Sequence, residues 1–222
     1  MSDDKKVIVA LDMMDPVVAR DMAKRLSGEV FAFKVGWPLI LGSNADIVVD
    51  LSRYSKVICD LKLADIPDTN SWVTQKMREN GAWGIIAHAF VGGDSLEAVV
   101  KAAGNVKTIA VVAMSHPGSS LFINKKAKEL VRVAAGAGAY GIIAPGNDIK
   151  MLKKVKKIAV GLKILSPGIG TQGGSASDAI ASGADYVIVG RSVCNADDPK
   201  NEVKRINAAI NTVLAQRNGP AT

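Results

Sequence analysis

Short aliphatic and β-branched runs recur eight times along the 222 residues, with helix-like segments between them. The runs are Val7–Leu11, Phe31–Val35, Val57–Leu61, Ile85–His88, Thr108–Val112, Gly141–Ala144, Lys163–Leu165 and Tyr186–Val189. Between them, segments such as Pro16–Leu26, Asn70–Asn80, Ser95–Ala103 and Lys125–Ala137 have helical periodicity. Strands that alternate with helices in this way run parallel, covered by the helices. About eight such units in so short a chain predict a compact (β/α)8 TIM barrel of the α/β class. A doubly wound open sheet is the alternative, because periodicity does not show closure. No linker, low-complexity tract or composition break interrupts the pattern, so residues 1–222 read as one domain. A frayed tail is expected at about 218–222.

The formal charge of +7 favours anionic ligands but does not by itself indicate nucleic acid. Lys150, Lys153, Lys154, Lys156 and Lys157 form the densest basic cluster, and no aromatic residue interleaves with them. They read as a solvated helix face rather than a nucleic-acid patch. Cys59 and Cys194 give neither metal-ligand spacing nor a disulfide framework, and Cys59 sits in an apolar strand. The first six residues lack a signal-like apolar segment, and no run approaches the ~18 residues of a membrane span. The expected compartment is the cytoplasm.

Chemistry concentrates at the ends of the strands. Asp12 ends the first, Lys34 the second, Asp60 and Lys62 the third and His88 the fourth; Ser115, Gln172 and Arg191 follow the fifth, seventh and eighth. Barrel enzymes place their active sites at that end. On a strand, residues two apart share a face, so Asp60 and Lys62 are expected to point the same way, with Asp65 beyond the strand end. Burying such a charged cluster is costly unless its members are paired, which suggests a network built for chemistry. A structural ion pair at a strand end is the plainer reading. Two glycine-rich loops, Ser166–Gly174 and Gly190-Arg191-Ser192, suit a phosphate: their amides can approach an anion, a following helix terminus adds positive charge, and Arg191 offers a bidentate contact. Among the plainer readings, His88 is a hydrogen-bonded core residue, Asp12 a helix cap and Ser115 a turn stabiliser. Trp37, Trp72 and Trp83 read as packing residues in or near helical segments, with a dimer surface as one place for them.

The run Asp60-x-Lys62-x-x-Asp65-Ile66-Pro67-x-Thr69 resembles the orotidine 5′-monophosphate decarboxylase family in its short archaeal or bacterial form. So do Leu11-Asp12, Lys34-Val35-Gly36, Met114-Ser115-His116-Pro117-Gly118, Ser166-Pro167-Gly168-Ile169-Gly170-x-Gln172-Gly173-Gly174 and Val189-Gly190-Arg191-Ser192. The resemblance implies decarboxylation of orotidine 5′-monophosphate to UMP in pyrimidine biosynthesis, with no metal and no organic cofactor. It implies that Lys62 protonates C6 of the pyrimidine, that Asp60 lies beside the departing carboxylate, and that Lys34, Asp60, Lys62 and Asp65 form one alternating network. It further implies that Asp12 holds a ribose hydroxyl, Ser115 the pyrimidine edge, and Gln172, Gly190 and Arg191 the phosphate. A homodimer is implied, in which Asp65 and Thr69 reach across to touch the ribose in the partner's site. Three rivals stay open: a metal-dependent sugar-phosphate enzyme of the same superfamily, a Schiff-base aldolase using Lys62, and a non-catalytic nucleotide-binding barrel.

Overall fold

The computed structural model describes residues 5–218. Among these residues, eight parallel strands close into a barrel in sequence order, with the first strand pairing with the last. The strands are β1 (Val7–Ala10), β2 (Ala32–Gly36), β3 (Lys56–Leu63), β4 (Gly84–His88), β5 (Lys107–Val111), β6 (Gly141–Ile143), β7 (Lys163–Ser166) and β8 (Tyr186–Val189). The helices are α1 (Pro16–Leu26), α2 (Trp37–Gly42), α3 (Ile47–Ser52), α4 (Pro67–Glu79), α5 (Gly93–Ala103), α6 (Ala127–Gly136), α7 (Ile149–Lys156), α8 (Ala176–Ala181), α9 (Arg191–Cys194) and α10 (Pro199–Asn218). Closure removes the open-sheet alternative. The tail expected to fray lies outside the described residues from Gly219 onward.

Period-two alternation divides each strand between two packed layers. Val7, Val9, Phe33, Val35, Val57 and Cys59 join the layer between sheet and helices, while Ile8, Ala10, Ala32, Ile58, Ile86 and Ile109 fill the barrel. Helix α1 shows how the outer layer is covered. Asp15 caps it by accepting bonds from the amides of Val17 and Val18, Pro16 starts it, and Ala19, Met22, Ala23 and Leu26 turn one buried stripe to the sheet. In α7, Leu152 and Val155 are buried, whereas Lys150, Lys153, Lys154 and Lys156 face solvent. The basic cluster is therefore a solvated helix face. No helix among the described residues is long and apolar enough to cross a membrane.

The N-terminal mouth of the barrel is plugged by rings from the four even-numbered strands and the residues just before them. Phe31 stacks on Tyr186 at 4.1 Å and meets Trp83 edge-on at 5.2 Å, and Trp83 meets Tyr140 at 5.6 Å. Lysines of odd-numbered strands lie over these rings. Lys56 is 4.2 Å from the Phe31 centroid, and Lys107 is 5.6 Å from that of Tyr140. Trp83 thus belongs to the barrel plug and not to a helical segment, while Trp37 and Trp72 lie on α2 and α4 and are 47% and 67% exposed.

Candidate active site

At the opposite mouth the inward-facing register continues past Ala10, Ala32 and Ile58 to Asp12, Lys34 and Asp60. These side chains meet. The Lys34 ammonium lies 3.0 Å from Asp12 Oδ1 and 3.0 Å from Asp60 Oδ2, and Lys62 Nζ donates to both Asp60 oxygens at 2.9 Å. Lys34 and Asp60 are buried at 7% and 8% exposure, whereas Lys62 is half-buried at the cavity. Burial pushes the Asp60 carboxyl up, but Lys34 and then Lys62 outweigh it and hold its pKa below the ordinary carboxylate value. Burial likewise pulls Lys34 down, and Asp60 and Asp12 reverse this, so its ammonium stays charged. The result is a fixed row of alternating charge, Asp12–Lys34–Asp60–Lys62. The plainer reading of Asp12 as a helix cap is removed, because Asp15 caps α1.

Lys62 does not reach this position by simple strand alternation. On β3, Cys59 pairs with Ile85 and Leu63 with Ala87, so three residues of β3 face one residue of β4. Lys62 sits in that bulge with φ 46°, the one non-glycine residue with positive φ among the described residues. Such a backbone costs on the order of 1–3 kcal/mol and persists where the surroundings enforce it. Part of the enforcement is visible: the Trp37 indole donates to the Leu61 carbonyl at 2.9 Å, beside the bulge.

The charged row borders a cavity of about 330 Å³. Ser115, Gln172, Gly190 and Arg191 line it from the other loops, and Ile86, Val111, Ile143 and Ile188 form an apolar wall. The Ser115 turn is held by its neighbours, with Asn124 bonding both the amide and the carbonyl of Met114 and Ser119 Oγ donating to the Met114 carbonyl. The loop from Gly168 to Gly174 folds on itself through bonds from Gly170 N to Gly174 O and from Gly173 N to Gly170 O, at 2.9 and 2.8 Å. Gly168, Gly170 and Gly173 take φ of 90°, 77° and 86°, a region open to glycine and strained for other residues. Helices α8 and α9, of six and four residues, are too short to contribute much dipole, so the loop amides and Arg191 supply the positive field.

A model of the orotidine 5′-phosphate decarboxylase / HUMPS family matches residues 5–206. The chain belongs to this family. It is 47% identical over 214 residues to a Thermoplasma volcanium protein named orotidine 5′-phosphate decarboxylase, covering 96% of this chain and 97% of that one. A Thermoplasma acidophilum protein of the same name is 46% identical over 213 residues, covering 96% and 99%. Among solved structures, orotidine 5′-phosphate decarboxylase from Pyrococcus horikoshii is similar with a TM-score of 0.86 at 42% identity, covering 92% of this chain and 99% of that one. The Methanocaldococcus jannaschii enzyme complexed with inhibitor BMP gives 0.88 at 37% identity, covering 93% and 99%.

Two of the family-motif residues lie apart from the charged row within one chain. Asp65 is exposed, and its carboxylate accepts a 2.7 Å bond from the amide of Ile66. Neither Asp65 nor Thr69 lines the cavity. Inside one chain the fourth member of the row is Asp12, which joins through Lys34; Asp65, expected from the resemblance to act across a dimer, does not line the cavity of its own chain. His88 also departs from expectation. It is buried against Phe90, with a centroid distance of 4.6 Å, but its Nδ1 has no hydrogen-bond partner. Sequence reasoning missed Asn147, whose amide donates at 3.4 Å to the carbonyls of both Ser115 and Gln172. It also missed the apolar wall, whose signal was inward alternation at Ile86, Val111, Ile143 and Ile188.

Proposed function

We propose that the chain decarboxylates orotidine 5′-monophosphate to UMP and carbon dioxide, the pyrimidine-biosynthetic step of its named relatives, without a metal or organic cofactor. The observation that carries this is the row Asp12–Lys34–Asp60–Lys62 beside a cavity flanked by two glycine-rich loops. Gln172, the Gly190 loop and Arg191 hold the phosphate; Ser115 meets the pyrimidine edge, and Asp12 with Lys34 the ribose. Asp60, kept ionised by two lysines, faces the substrate carboxylate and disfavours the bound reactant relative to a transition state in which that charge disperses. The bond from C6 to the carboxyl carbon breaks, its electron pair stays on C6, and carbon dioxide leaves uncharged along the apolar side of the cavity. The fixed Lys62 ammonium stabilises the developing carbanion, gives it a proton and is later reprotonated from solvent. Because Lys34 already balances Asp12 and Asp60, the carboxylates are poor ligands for a cation. Lys62, tied to both oxygens of Asp60, is poorly placed as a Schiff-base nucleophile.

Asp65 and Thr69 act across a homodimer interface, each completing the partner's site. The exposure of Asp65, with Thr69 partly exposed one helical turn on, supports this, as do the exposed apolar side chains of Ile66 and Trp72 nearby and of Phe90 and Leu121 on neighbouring loops. Work on a small soluble nucleotide supports a cytoplasmic location. The test is loss of ultraviolet absorbance on adding orotidine 5′-monophosphate, with and without EDTA. Turnover indifferent to EDTA and abolished in Lys62→Ala is expected. A folded protein without turnover would reject the activity and direct attention to sugar phosphates with divalent metal. Arg191→Ala should weaken the phosphorylated substrate far more than the phosphate-free nucleoside, and equal losses would reject the phosphate assignment.

A further inference from the structure

Ser192 follows Arg191 but faces the other way. It is absent from the lining of the substrate cavity and instead borders a separate crevice of about 190 Å³ behind the glycine-rich loop, with Gly170, Gly174 and Ser175. Its hydroxyl oxygen is buried and has no hydrogen-bond partner. A buried hydroxyl left unpaired is costly and calls for a reason. The contact with the loop is close: a Cβ on Gly170 would stand 2.7 Å from Ser192 Oγ and 2.9 Å from its Cβ. Gly170 therefore lies directly on Ser192, with φ at 77°. The Gly170 carbonyl accepts one bond, from the amide of Gly173, and an oxygen of this kind has a second lone pair.

We propose that Ser192 is a positioning residue, a catch whose hydroxyl bonds the back of the Gly168–Gly174 loop when that loop settles over a bound phosphate. The loop forms a partition, with Ile169 bordering both the substrate cavity and the crevice, so a shift toward the phosphate on one side changes the Ser192 contact on the other. A bond made only in the settled position strengthens the closed form and leaves the unclosed form untouched. Ser192 thus ties the two phosphate loops together without touching substrate. This inference rests on the phosphate assignment made above.

The experiment compares Ser192→Ala and Ser192→Cys with the parent enzyme on orotidine 5′-monophosphate and on phosphate-free orotidine. Both variants should lose roughly 3- to 10-fold in kcat/KM on the phosphorylated substrate, the worth of one hydrogen bond made only on closure. Orotidine turnover should stay within about twofold, since that substrate gives the loop no anion to close on, and Tm should not fall. No loss on the phosphorylated substrate, or equal loss on both substrates, overturns the proposal. If the parent enzyme itself fails to prefer the phosphorylated substrate, the phosphate assignment fails and the catch fails with it. A preference kept in the parent and unchanged in both variants removes the catch alone.

Discussion

Replacing Asp60 with Ala would leave the buried Lys34 facing Lys62 with only Asp12 to balance it. Breaking a buried charge pair from one side costs roughly 3–5 kcal/mol, which urea denaturation of Asp60→Ala should register alongside lost activity. Lys62 behaves differently, because its backbone is strained. Lys62→Ala and Lys62→Gly should both lose turnover, by roughly 10³-fold or more. Glycine tolerates φ of 46° and alanine does not, so the glycine variant should be the more stable of the two by about 1 kcal/mol. His88 sets a pH dependence. Burial, then the nearby Lys62 charge, lowers its pKa from 6.5 to about 4, so the folded imidazole stays neutral. The unfolded chain binds the extra proton between those values. Stability is therefore full above pH 6.5 and declines toward pH 4, by roughly 3 kcal/mol. Tm measured across that range should fall in the parent and fall less in His88→Gln. The placement of Asp12, Lys34 and Asp60 at strand ends was legible in the sequence, because the apolar runs before them mark where each strand stops; the pairing of Asp12 with Lys34 was not, since it joins two different strands. The bulge that aims Lys62 was not, since it depends on pairing with β4, a segment more than twenty residues away in the chain.

At the scale of elements, the two ends of the barrel have separate duties. The aromatic plug lies at the N-terminal ends of the strands and the charged row at their C-terminal ends. Phe31→Ala should therefore cost roughly 3–5 kcal/mol in stability, from loss of a buried ring in a stacked cluster. Its kcat and KM should match the parent at temperatures where it remains folded; a marked fall in kcat there would show that the ends are coupled. Most strand boundaries were readable to within a residue or two, because continuous apolar runs bounded by turns leave little choice of register. Helices α1, α4, α5 and α6 were readable from their buried stripes. Helices α2, α3, α8 and α9 span four to six residues, too few positions for a period of 3.6 to emerge. The plug escaped sequence reading for another reason. Phe31, Trp83, Tyr140 and Tyr186 are widely separated in the chain, and only closure of the barrel brings their rings together.

At the scale of the whole molecule, barrel closure was expected from the count of units, while its proof lies in the pairing of β1 with β8. The proposed dimer makes a sharper demand than size alone. If Asp65 serves the partner's site, Lys62→Ala and Asp65→Ala chains are each inactive as pure dimers, yet a mixed dimer contains one site with both residues intact. Unfolding and refolding an equimolar mixture should recover about a quarter of the parent activity, the share of intact sites in a randomly assorted two-fold assembly. No recovery would place Asp65 in its own chain's site. The bond from Trp37 to the Leu61 carbonyl carries a consequence of its own. A half-exposed indole tethered one residue from Lys62 is a natural fluorophore at the reacting end of the barrel. With Trp72 and Trp83 replaced by phenylalanine, its emission becomes a single optical signal of ligand arrival, readable in variants that never turn over.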